Sequence, residues 1–175
     1  MTRPTANASA PSRDVQEKGV PSFDLLFRPS VALISIVRRF VADFYNEIVP
    51  DPDTASRLAL STHELLENAV KYSTDGDAAL HVEIDPAAGT VAVRTRNRAT
   101  ASRIDRLQRS FAEISAAPSA AALYAQMLRR SAVQASGSGG LGLARIWAES
   151  EMTLRLVVAD DEVEVHARGT IAAAE

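Results

Sequence analysis

The chain has 175 residues, 46% of them hydrophobic and 23% charged, with a formal net charge of −3 and no cysteine. That length and usage suit one globular core; the missing cysteines exclude disulfides, thiolate catalysis and Cys-ligated zinc. The acidic balance argues against nucleic acid as the main partner, and no apolar run has membrane-spanning length, so a cytoplasmic protein is expected.

Residues 1–20, rich in Ala, Ser, Thr and Pro without the apolar core of a signal peptide, predict a disordered tail, with one domain over 21–175. Phe23 to Arg28 suits a first strand, and Ser30 after Pro29 is a cap candidate. Val31, Ile34, Val37, Val41, Phe44 and Ile48 recur at helical spacing, and Pro50 ends the pattern. Asp53 is a candidate cap for a second helix that runs to about Tyr72, where Ser73-Thr74-Asp75-Gly76-Asp77 breaks it.

On that second helix Glu64 and Asn68 lie four residues apart and share a face with Lys71, while Leu65, Leu66, Ala69 and Val70 form an apolar stripe. A carboxylate, an amide and an ammonium in adjacent turns suit a metal-bound polyphosphate, although surface helices carry similar pairs merely as solvated ion pairs.

Leu80, Val82 and Ile84, a turn at Pro86 to Gly89, then Val91 and Val93 predict a hairpin. Its second strand leads into Arg94, Arg96 and Arg98 at alternate positions, expected to form a solvated edge or, alternatively, a basic surface for phosphate or an acidic partner. Ile104, Leu107, Phe111 and Ile114 behind a Ser102 cap, and Ser119 to Val133 after Pro118, predict a helical pair that either covers a site or forms a partner surface.

Downstream, Ser138-Gly139-Gly140-Leu141-Gly142-Leu143 opens a further helix to about Ser150; glycines before a helix let backbone N–H groups approach an anion. Met152, Leu154, Leu156 and Val158, a turn at Ala159 to Glu162, then Val163 and Val165 form a closing hairpin. The element order is that of an α+β, two-layer α/β sandwich with helices on one face of a mixed sheet.

Other motifs are weaker. Gly137, Gly139 and Gly142 satisfy the dinucleotide-binding glycine spacing, but the pattern before them is helical where a strand is required. His63-Glu64 suggests a zinc-protease helix, yet Glu67 occupies the second ligand position. His81 and His166 read as ordinary strand histidines, Tyr124 and Trp147 as core, and no P-loop signature is present.

The Thr62 to Tyr72 segment and the later glycine box together resemble the Bergerat ATP-binding fold of sensor histidine kinases, gyrase-type ATPases and anti-sigma-factor kinases, over Phe23 to about Thr170. The resemblance implies Glu64 as general base, Asn68 as ligand to Mg²⁺, Lys71 as a phosphate contact, and Gly139, Gly140, Leu141, Gly142 and Leu143 around the ATP triphosphate. It departs where the family carries Asp-x-Gly-x-Gly: this chain has Asn97-Arg98-Ala99-Thr100-Ala101, so Asn97 stands as a neutral acceptor for adenine, weaker than a carboxylate. Compact size and the Gly-Gly-Leu-Gly-Leu ending are most similar to small stand-alone regulatory kinases of bacterial partner-switching systems, the Sia-type threonine kinase among them. That implies phosphate transfer from ATP to Ser or Thr of a small regulatory protein, with a homodimer compatible; the alternative is a catalytically silent module that sequesters the same partner.

Overall fold

In the computed structural model, residues 19–28, 31–133 and 140–172 are described. Residues 1–18 of the predicted tail, the Ser30 cap and Gly139 therefore lie outside the described residues.

Alternating apolar residues build five strands: β1 (Ser22–Phe27), β2 (Ala78–Asp85), β3 (Thr90–Arg98), β4 (Thr153–Ala159) and β5 (Glu162–Thr170). They form one sheet in the order β1-β2-β3-β5-β4. Every pairing is antiparallel, which corrects the expected mixed sheet: β3 and β5 also run in opposite directions, with Val93 opposite Ala167. The helices α1 (Val31–Ile48), α2 (Pro52–Tyr72), α3 (Ala101–Ala116), α4 (Ala120–Val133) and α5 (Leu141–Ser150) make the second layer. The two-layer sandwich stands as expected.

Leu80, Val82 and Ile84 of β2, Val91 and Val93 of β3, and Val163 and Ala167 of β5 are buried against that layer. Tyr45 of α1 is fully buried, and its hydroxyl lies 2.8 Å from Thr62 Oγ1 of α2, so the two helices are joined by a hydrogen bond within apolar surroundings. Burial pushes the Tyr45 phenol pKa up. Phe23 of β1 meets Phe40 and Phe44 of α1 edge to face, with centroids 4.9 and 4.8 Å apart, and so closes the sheet edge onto α1.

Two cap assignments change. Asp51, not Asp53, caps α2: its Oδ2 accepts from Thr54 N at 2.9 Å, and Pro52 takes the first helical position where a missing N–H costs nothing. Thr100, not Ser102, stands at the α3 N-cap.

The arginine triplet also moves. β3 lies between β2 and β5, so Arg94, Arg96 and Arg98 project from the open face of a central strand, not from an edge. Arg98 Nε pairs with Asp161 Oδ2 at 3.0 Å and Arg96 Nη1 with Glu162 Oε2 at 3.7 Å, which fits a solvated face. The strand histidines have partners there: His81 Nδ1 lies 2.9 Å from Asp24 Oδ1, and His166 Nε2 lies 2.8 Å from Glu164 Oε2.

Candidate functional site

The apolar stripe of α2 faces the sheet, and this sets its polar residues at the layer boundary. Leu65 and Ala69 pack inward, and Asn68 and Tyr72 reach the wall of a cavity of about 630 Å³, solvent at its mouth included. Thr95 and Asn97 of β3 and Val163 and Val165 of β5 form the floor; Arg103, Arg106, Leu107 and Ser110 of α3 form the opposite wall; Gly140 and Leu143 close one end.

α3 is held in place at both ends of the cavity. Arg103 Nη1 donates to the carbonyls of Tyr72 at 3.0 Å and Ser73 at 2.9 Å, which satisfies acceptors that the end of α2 leaves without helical partners. At the far end Gly140 opens α5 with φ +111°, and a Cβ there would lie 3.0 Å from Ser110 Oγ. Only glycine combines that backbone conformation with that close approach.

Gly142 is required for a different reason. It lies in the first turn of α5 without a positive φ, but a Cβ would lie 2.7 Å from Glu64 Oε2 and 3.4 Å from Asn68 Nδ2. The glycine box and the α2 polar face, 74 residues apart between Asn68 and Gly142 in sequence, are thus in contact.

Glu64 sits one turn before Asn68, outside the cavity lining, and its Oε1 accepts from Arg145 Nη1 of α5 at 3.3 Å. Arg145 Nε also donates to Glu149 Oε2 at 2.9 Å; that hydrogen bond, with a smaller contribution from Glu64, holds the guanidinium pKa above its ordinary value. Oε1 is therefore engaged while Oε2 faces the glycine turn.

Asn97 reaches the cavity. Its Nδ2 donates to the Arg98 carbonyl at 3.1 Å, which leaves Oδ1 as the acceptor. Lys71 is exposed and outside the lining, its ammonium 5.5 Å from the Tyr72 ring centroid in a cation–π contact. Leu141 flanks the site without lining it. His63 Nε2 lies 3.0 Å from Glu67 Oε1, and no cluster of three His, Cys, Asp or Glu that could hold a metal exists among the described residues.

Arg103, Arg106, Ser110 and Arg145 were not singled out by the sequence. Arg103 and Arg106 follow the same helical spacing as Leu107 and Ser110, the one signal that pointed at them, and it reads equally as a solvated flank.

Fold and cavity together define a two-layer α+β domain with a site between the glycine turn, α2 and the sheet. No family model matches the chain, and no curated protein matches its sequence. A chain in the crystal structure of the SiaB–SiaC complex from Pseudomonas aeruginosa is similar in structure, with TM-score 0.62, 18% identity, and coverage of 85% of this chain and 89% of that one. At that identity the likeness shows the fold. Among the described residues no helix is long and apolar enough to cross a membrane.

Proposed function

We propose that this chain is an ATP-dependent regulatory kinase that phosphorylates Ser or Thr of a small partner protein in a partner-switching pathway. The observation that carries the reading is the contact of Gly142 with Glu64 and Asn68, which joins the glycine turn to the two side chains that a phosphoryl-transfer site needs. The structural neighbour, a chain of a complex between two proteins, supports a protein partner here as well.

The residues present fit Mg²⁺ and ATP. The cavity lining is mainly apolar, with an acceptor at Asn97, two arginines and no carboxylate. Asn68 Oδ1 would hold the ion together with phosphate oxygens and water. When bound, ATP with Mg²⁺ supplies the phosphoryl group and neutralises its charge. Arg145 holds Glu64 Oε1, so Oε2 is the atom that accepts the proton of the attacking hydroxyl. The α3 wall bounds the cavity opposite the sheet, and Asn97 would orient the adenine ring.

The silent module is the second reading, favoured by the Arg145 pair, which ties the candidate base to a cation, and by the neutral Asn97. The two separate in one experiment: the purified chain is incubated with γ-labelled ATP and Mg²⁺ in lysate of the source cells, and label on a small protein is localised by mass spectrometry. A labelled Ser or Thr that disappears with Glu64→Gln supports the kinase. No label, with no ATP binding at millimolar concentration, leaves the module.

A further inference from the structure

α3 acts as a ruler along the cavity. Arg103, at one end, is bound to the last carbonyls of α2 beside Asn97, and Ser110, two turns on, touches Gly140 at the other. Arg106 lies between them at the exposed rim, one turn of about 5.4 Å from the glycine end. The two cavity arginines have different standing. Arg103 donates to two carbonyls and is structurally committed; Arg106 has no side-chain hydrogen bond and no ion pair among the described residues. No carboxylate lines the cavity, so nothing in its lining offsets the charge of Arg106.

A lone guanidinium on a fixed helix, over a cavity whose lining is mainly apolar and holds no acid, favours an anion bearing several oxygens in a plane or tetrahedron. Its neighbours along the ruler complete the assignment: an uncharged acceptor, Asn97, on one side and backbone N–H groups at the opening of α5 on the other. We infer that Arg106 is the residue of this site that reads a polyphosphate chain, so that α3 supplies a fixed cation. The inference rests on the proposed ATP site, yet it makes a narrower claim, that the cavity selects its ligand by anionic charge through Arg106.

The test is isothermal titration of the full chain with sodium tripolyphosphate, ATP and adenosine at low salt, beside Arg106→Ala and the control Arg109→Ala. Arg109 is on the same helix, outside the lining, with its Nε donating to the Asp105 carbonyl at 3.2 Å. Both variants remove one exposed charge, so a general field effect would weaken binding equally. Arg106→Ala is expected to weaken tripolyphosphate and ATP about tenfold each and leave adenosine unchanged, as for one charge-assisted contact at a half-open rim; Arg109→Ala is expected to change none of them. Tripolyphosphate that binds through Arg106 with no gain from adenosine would keep the inference and retire the ATP reading. ATP that binds wild type and Arg106→Ala equally would overturn the inference and keep that reading. Failure of wild type to bind tripolyphosphate, or an equal loss in Arg109→Ala, would also overturn the inference.

Discussion

Replacing the two glycines of the α5 turn separately by alanine should give opposite results, because the structure constrains them differently. At Gly142 the backbone is ordinary, and alanine in a helix is favoured over glycine by about 0.8–1.0 kcal/mol. The new Cβ would lie 2.7 Å from Glu64 Oε2, so the carboxylate must swing away and strain or break its 3.3 Å pair with Arg145. Both partners are partly exposed, 36% and 22%, so that loss is at most about 1 kcal/mol. The two effects nearly cancel, and Gly142→Ala should melt within roughly 2–4 °C of wild type. At Gly140 no such offset exists: φ is +111° and a Cβ would lie 3.0 Å from Ser110 Oγ, so alanine should cost about 1–3 kcal/mol, roughly 2–12 °C. Function should divide the other way. Displacing a proton acceptor by about 1 Å can cost about 10²-fold in rate, so Gly142→Ala should keep its fold and lose phosphate transfer. Thermal melts followed by circular dichroism, with transfer from labelled ATP to the partner, check both halves. A Gly142→Ala protein that transfers at the wild-type rate, or that melts as low as Gly140→Ala, would refute the contact argument.

Glu64→Gln should keep ATP bound and lose roughly two to four orders of magnitude in transfer, whereas Asn68→Ala should lower both affinity and turnover, as titration and labelled transfer will show. Asn97→Ala should weaken ATP without changing the circular dichroism spectrum; equal affinity in both proteins would place adenine recognition elsewhere. Tyr45→Phe should destabilise by about 1 kcal/mol in urea melts, through the loss of the buried bond to Thr62. The Thr54 hydroxyl and N–H hold Asp51 below the ordinary carboxylate range, so its capping is present at neutral pH and lost as pH falls through that lowered value; melts of wild type and Asp51→Ala should converge in acid.

The elements were legible because their periods are clean. Leu80, Val82 and Ile84 alternate without interruption and are buried as expected, and Pro50 and the Ser73 to Asp77 run end α1 and α2 within two residues of the predicted points. Misplaced features depended on context beyond a local window. Asp51, Asp53 and Ser102 are all plausible caps, and the choice rests on which backbone leaves helical geometry first. The arginine alternation showed that three side chains share one face, but not that β5 would pair beside β3 and turn an expected edge into the middle of the sheet.

The candidate site was legible in half. Glu64, Asn68 and the glycine box stand out in the sequence because each motif is local, and each needs its neighbours within one or two turns. The pieces that complete it are long-range: Arg145 meets Glu64 across 81 residues, and Arg103 meets Tyr72 across 31. Neither arginine differs in sequence from those on a solvated helix face. Even the reason for Gly142 was hidden, since a phosphate loop predicts glycine for the sake of the ligand, whereas here the side chain of Glu64 already fills the space. Glycine at 142 is thus a condition for holding the carboxylate against α5 before any ligand arrives. The same contact lets one helix present Glu64 Oε2 to the turn while the opposite oxygen remains tied to Arg145.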